Sequence, residues 1–168
     1  APQRFSNWLE YHLFSKVPFG SINRISTLGS PEQICLEYAK KLSKASIDIV
    51  CLGIGVNGHL AFNDPPYANF KDPVSVKVVR LDDVCRKQQV DDQCFKSISE
   101  VPERAVTLTI PRLLSGASLF CNVPGESKRK ALRATLQDPI STACPASILR
   151  THGKVKIFLD REAYSNEW

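Results

Sequence analysis

Between residues 51 and 66 the chain reads Cys-Leu-Gly-Ile-Gly-Val-Asn-Gly-His-Leu-Ala-Phe-Asn-Asp-Pro-Pro, which sets three glycines, a histidine and a carboxylate directly after an apolar run. An imidazole with an ordinary pKa of about 6.5 is suited to moving protons at neutral pH. Asp64 lies five residues beyond His59, where a carboxylate can orient the ring or balance its charge. The pair reads as an acid/base unit, and it also reads as two turn caps; spacing alone leaves both open. The glycines at 53, 55 and 58 follow a GxGxxG spacing, but His59 and a loop holding Pro65 and Pro66 come next instead of a long helix, so this is no dinucleotide fingerprint.

A second segment with chemical potential is Pro124-Gly125-Glu126-Ser127-Lys128, a glycine turn that follows an apolar strand and opens a helix. Exposed N–H groups at such a helix start attract anions, and Lys128 adds a positive charge suited to a phosphate. A solvated basic helix carrying Lys128, Arg129, Lys130 and Arg133 is the alternative. Ser141 to Ser147 is small and polar enough to wall a pocket, with Cys144 packed in it and no partner histidine to make it a nucleophile.

These residues need elements to hold them. Ile47 to Leu52 is apolar and β-branched, which predicts a buried strand of a parallel sheet, and ligands bind at the carboxyl ends of such strands. Helical spacing of Phe5, Trp8, Leu9, Leu13 and Phe14 predicts a helix over 5–16 with Ser6 or Asn7 as cap. Pro31 to Ser43 predicts another, capped by Ser30, with Ile34, Cys35, Tyr38 and Leu42 inward. Alternation over 74–81 predicts a half-buried strand, followed by a helix from an Asp82 cap to Gln89. Further strands are expected at 105–110, 119–123 and 155–159, with helical segments at 111–114, 127–136 and 145–149. The order predicts one α/β domain over 1–168, three-layered, with a mainly parallel Rossmann-like sheet and helices on both faces.

The totals narrow the class. A chain of 168 residues with 43% hydrophobic and 23% charged residues is ordinary for one globular domain, and no apolar run approaches the roughly 20 residues of a membrane span. No signal or transit pattern opens the sequence. Six cysteines without a CxxC pair predict free, buried thiols and a cytoplasmic setting. The net charge of +5 suits an anionic ligand, yet Lys and Arg are dispersed, which predicts a solvated surface and no nucleic-acid partner. The absence of methionine fits removal of a starter residue and fits a chain that begins partway through a longer protein.

The stretch Leu52-Gly-Ile-Gly-Val-Asn-Gly-His-Leu-Ala-Phe-Asn-Asp-Pro65 closely resembles the signature of glucosamine-6-phosphate deaminases (isomerases), a family related to the 6-phosphogluconolactonases. Val101-Pro102, Ala105 to Thr109, Gly125-Glu126-Ser127-Lys128 and the run from Ser141 to Leu149 extend the resemblance over nearly the whole chain, and Ala61-Phe62-Asn63-Asp64-Pro65 follows the deaminase pattern. The resemblance implies ring opening of an amino-sugar phosphate, proton transfer between C2 and C1, and loss of ammonia to give fructose 6-phosphate. It gives His59 the ring-opening role, Asp64 the supporting carboxylate, usually Glu in the family, and Asn57 a place in the catalytic group. Gly55, Gly58 and Lys128 become substrate-binding, with Lys128 on the sugar phosphate. It implies no metal or organic cofactor. The partner is a small sugar phosphate; the family often forms oligomers, and Phe5 and Trp8 fit a homo-oligomer surface or a further segment equally well.

Two departures qualify the resemblance. Asn57 stands where well-known deaminases carry Asp, so it can hydrogen-bond the imidazole without stabilising its charged form. Gln93 lies near the place where an arginine often contacts phosphate. Family members also begin with a strand, a Gly/Thr-rich phosphate loop and an Asp-Glu-Tyr stretch. Residues 1–16 resemble the helix after that stretch, so the chain is expected to correspond to the last two thirds of a deaminase and to be inactive alone. A sugar-phosphate-binding regulatory module is the alternative.

Overall fold

Leu119, Cys121 and Val123 alternate inward along a strand, Ser118–Val123, that is paired on both sides. In the computed structural model, which describes residues 5–26 and 28–164, this strand (β4) is the centre of a parallel sheet in the order β1-β4-β5. Strand β1 spans Ile49–Gly53 and pairs Cys51 with Phe120; β5 spans Val155–Leu159 and pairs Ile157 with Cys121. Helix α5, Arg129–Gln137, buries Ala131, Leu132 and Thr135. With the inward residues of β4 and with Ile54, Leu60, Leu113, Ala146 and Leu149, Ala131 and Leu132 form the main core.

The alternation at 74–81 gives strand β2, Val76–Arg80, which pairs antiparallel with β3, Arg104–Leu108, as a separate two-stranded sheet. Helix α2, Pro31–Leu42, lies against β2, and its Ser30 cap accepts the Gln33 N–H at 3.2 Å. Between β2 and β3 runs α3, Asp83–Asp91, whose cap Asp82 accepts the Val84 N–H. Val79 and Leu81 meet Cys85 of α3 in a second, smaller apolar cluster, against which Phe62 packs. Helix α4 is the short Ile110–Leu114, and Pro145–Thr151 is a 3-10 segment.

Three expectations need correction. Strand β1 is not buried: Ile49 is 58% exposed and Cys51 is exposed, because they lie on the sheet face shared with Asn122 and Phe158, which are exposed too, while Val50 and Leu52 turn to the core. The thiols are all free, but Cys51 and Cys94 are exposed. At the start of the chain, α1 (Phe5–Leu9) continues as a π-helical turn, Glu10–Phe14, so Ser6 and Asn7 sit inside the helix and not at its cap. Phe5, Trp8 and Tyr11 lie exposed on it, with the Trp8 and His12 rings stacked at 4.4 Å. No helix among the described residues is long and apolar enough to cross a membrane.

Candidate functional site

Strands β1, β4 and β5 run in parallel, so their carboxyl ends deliver three segments to one edge of the sheet: the turn at 54–64, the Gly125–Lys128 corner and Asp160. The first turn closes on itself, with the Gly55 N–H donating to His59 O at 3.0 Å and the Gly58 N–H to Gly55 O at 2.9 Å. This fold of the backbone lays the His59 ring flat on Gly55. A Cβ at residue 55 would sit 2.1 Å from His59 Cε1 and 2.3 Å from both ring nitrogens. Gly58 has φ +82° and would drive a Cβ to 2.7 Å from Cys144 Sγ. Both glycines are thus dictated by space, and Gly58 also by the left-handed backbone.

His59, Asn57 and Asp64 form one hydrogen-bonded group. His59 Nδ1 lies 2.8 Å from Asn57 Oδ1 and 3.0 Å from Asp64 Oδ1. Asn57 Nδ2 donates to the same Asp64 oxygen at 3.0 Å, and Asn57 Oδ1 also accepts the His59 backbone N–H. An ionised carboxylate only accepts, so the ring proton belongs on Nδ1 and Nε2 keeps its lone pair. No hydrogen bond engages Nε2 among the described residues, and the His59 side chain is 12% exposed while Asp64 is fully buried. Burial works to raise the Asp64 pKa, but hydrogen bonds from His59 and Asn57, the charge of His59 and the Asp82 N–H together hold it below the usual carboxylate value.

The rest of the loop is pinned to β3 and α3. Asn63 is buried and donates to Leu60 O at 2.9 Å and to Leu108 O at 2.8 Å, and Thr107 Oγ1 accepts the Phe62 N–H. From α3, Gln88 Oε1 accepts the Val56 N–H at 3.1 Å. Ala61, between His59 and Asp64, has φ +52°, a left-handed conformation that costs a non-glycine residue about 1–2 kcal/mol and is held by these bonds. Cys85 was not singled out by its local sequence. It lies buried on α3 beside Asp64, where burial and the Asp64 charge push its thiol up to about 12.

Lys128 lies within electrostatic reach of Cys85, which adjoins Asp64. Burial lowers its pKa, and the Asp92 carboxylate partly offsets this. Gly125 itself is less available to an anion than its position suggests, because its N–H is already bonded to the Asp160 carboxylate at 2.9 and 3.1 Å. Cys144 is packed, as expected: it is buried against Thr135 and Gly58, and the Ala146 N–H donates to Gly58 O at 2.8 Å, so the 141–149 segment walls the histidine turn. Gln93 sits at φ +59° in a surface hollow with Val90, Cys94, Phe95 and Lys96, apart from these residues.

A buried carboxylate holding a histidine by Nδ1, with Nε2 open and a lysine nearby, can shuttle a proton on a small anionic substrate. The family model for glucosamine-6-phosphate isomerases/6-phosphogluconolactonase matches residues 1–157. A glucosamine-6-phosphate deaminase of Exiguobacterium sibiricum is 32% identical over 167 residues, covering 98% of this chain and 64% of the relative. One of Listeria monocytogenes is 32% identical over 165 residues, covering 98% and 68%. The structure of a monomeric glucosamine-6-phosphate deaminase superposes with a TM-score of 0.81 at 32% identity, covering 97% of this chain and 67% of that one. The 6-phosphogluconolactonase of Trypanosoma brucei shares the fold at a TM-score of 0.69 and 19% identity. The chain spans about two thirds of the length of these relatives.

Proposed function

The chain belongs to the family of glucosamine-6-phosphate isomerases and 6-phosphogluconolactonases, and from that premise we propose that the protein works in amino-sugar phosphate metabolism, deaminating glucosamine 6-phosphate to fructose 6-phosphate. The observation that carries this reading is the His59 ring, anchored through Nδ1 with Nε2 open. His59 Nε2 takes the proton of the anomeric hydroxyl as the ring C1–O5 bond breaks, and the imidazolium returns that proton to O5. Asp64 supplies the single negative charge that supports the imidazolium, and Asn57 positions both. A proton then moves from C2 to C1, and water replaces nitrogen at C2, so that substrate and water become the ketose phosphate and ammonia. Lys128 holds the phosphate, and Gly55 and Gly58 keep the turn thin enough for the sugar to reach the ring.

A second reading, a regulatory module that binds the sugar phosphate without turning it over, draws on Asn57, whose neutral amide lends the imidazolium no charge. One experiment separates them. The full-length protein is incubated with glucosamine 6-phosphate and ammonia is measured, beside His59→Gln. Ammonia release lost by about 100-fold or more in the variant supports the deaminase. Tight binding without release moves the case to the regulatory module, and inertness toward both glucosamine and galactosamine 6-phosphates, without binding, removes both.

A further inference from the structure

We propose that His59, Asp64 and Cys85 form a binding site for a thiophilic divalent cation, zinc foremost, whose occupancy switches His59 off. The three side chains offer one nitrogen, one oxygen and one sulfur, and these ligand atoms all lie within 4.8 Å of one another. A tetrahedral zinc ion with ordinary bond lengths holds such atoms about 3.3–3.6 Å apart, so closure onto an ion takes movements of about an ångström. Nitrogen, carboxylate and thiolate together favour zinc over magnesium or calcium.

The surroundings favour such an ion. Asp64 and Cys85 are buried and His59 is the partly exposed member, which leaves one side open for entry and for a fourth ligand such as water. The ligands come from two elements already tied together, since Asp64 accepts the Asp82 N–H at the head of α3 and Gln88 of α3 accepts the Val56 N–H. With Asp64 and Cys85 both anionic, the charge of a divalent ion is matched within its own ligand shell. Beyond it, Asp82 adds negative charge near the thiol, and Asp92 offsets the charge of Lys128. Gln89 Nε2 is a buried donor without an acceptor. It stands four residues after Cys85 on the same face of α3, so a metal-bound sulfur offers the acceptor that is missing. Metal ligands are characteristically supported by such outer hydrogen bonds.

Binding transfers one proton out of the site. The Cys85 S–H bond breaks as the S–metal bond forms, and that proton leaves to buffer. The His59 proton moves from Nδ1 to Nε2 through solvent as Nδ1 takes the metal. No electron changes hands. The Nε2 lone pair that accepts the sugar hydroxyl proton is then occupied, so a bound ion removes the base without competing for the phosphate at Lys128. This inhibitory consequence rests on the proposed deaminase reading; the binding does not.

The test titrates the full-length protein with Co2+, and then with Zn2+ in competition. Thiolate ligation gives an intense near-ultraviolet charge-transfer band with cobalt, expected in the parent protein and in Cys51→Ser and Cys94→Ser, which alter the exposed thiols. Cys85→Ser is expected to lose the band and to weaken zinc by about 100-fold or more, and Gln89→Ala to weaken it by about 10-fold. Should Cys85→Ser fail to fold by circular dichroism, His59→Gln gives a second ligand loss, with the same weakening and a retained band. Cobalt binding without the band, a band that survives Cys85→Ser, or one that disappears with Cys51→Ser or Cys94→Ser overturns the site. Zinc is further expected to stop ammonia release reversibly by chelator. An inactive protein that still shows the band keeps the metal site and removes only the deaminase reading.

Discussion

Replacing Gly55 by alanine tests the histidine turn more sharply than replacing the histidine itself. A Cβ there would lie 2.1 Å from His59 Cε1 and 2.3 Å from both ring nitrogens, so the ring must retreat by about 1.3 Å to restore even a tight contact. The bonds from Nδ1 at 2.8 Å to Asn57 and 3.0 Å to Asp64 cannot survive that displacement. Loss of an oriented acid/base group costs about 100-fold to 10,000-fold in rate. Withdrawal of the imidazole also strips a fully buried carboxylate of one donor, and a hydrogen bond to a charged group is worth about 1.5–3 kcal/mol. Asn57 Nδ2 and the Asp82 N–H remain on Asp64, which places the expected loss within that range, about 2 kcal/mol. The assay is ammonia release at saturating and limiting substrate, with urea unfolding on the same preparations. Lys128 is untouched, so kcat should collapse while KM stays within a few fold. A Gly55→Ala protein with parental kcat and stability would mean that His59 does not work from this position.

Two further outcomes follow from charge. The folded Asp64 carboxyl lies below its ordinary value of about 3.9, so its stabilisation is fully present above that value and is lost as pH falls through the lower folded one. Urea midpoints of the parent and Asp64→Asn should therefore differ most above about pH 4 and converge in stronger acid; a constant difference across the acid range would contradict this. Lys128→Met should raise KM for the sugar phosphate by about 10-fold to 100-fold, the worth of one charge-assisted hydrogen bond, with kcat nearly unchanged; an equal fall in kcat with constant KM would place Lys128 at the reacting carbons instead.

Much of this arrangement was legible in the chain because its signals are local. Ser30-Pro31-Glu32 announces a helix start and the structure places one there, with the expected cap bond to Gln33. The Gly55, Gly58 and His59 spacing announces a tight turn after a strand, and that turn is what seats the ring. What the sequence hid is set by distant partners. The exposure of Ile49 and Cys51 depends on what packs on their face of the sheet, and an apolar β-branched run reads the same whether one face or both are covered. The alternation at 74–78 did carry a usable hint, since alternating apolar and polar residues suit an antiparallel pair, and β2 forms one with β3. Cys85 lies 21 residues from Asp64 on a helix with no motif around it, and only the packing of α3 under the loop brings the two together.

Asn57 is best understood together with Asp64. The shorter carboxylate reaches His59 at 3.0 Å and at the same time accepts the Asn57 amide at 3.0 Å, a bond that an aspartate at 57 could not donate. In Asn57→Asp two carboxylate oxygens would face each other at that separation, a repulsion of about 1.4 kcal/mol at the dielectric of water and about 5.5 kcal/mol at an effective value of about 20. Asp64 is fully buried, so the true cost lies nearer the upper figure, reduced by whatever proton the cluster takes up to relieve it. Asn57→Asp alone should therefore destabilise the protein by several kcal/mol at neutral pH. The same substitution made with Asp64→Glu, where the added methylene lets the carboxylates part, should cost less than the two single changes combined. A coupling of about 1 kcal/mol or more in that cycle is the expected result. Strict additivity would mean that the amide at 57 and the short acid at 64 are independent choices, and that the hydrogen bond between them contributes nothing to holding His59.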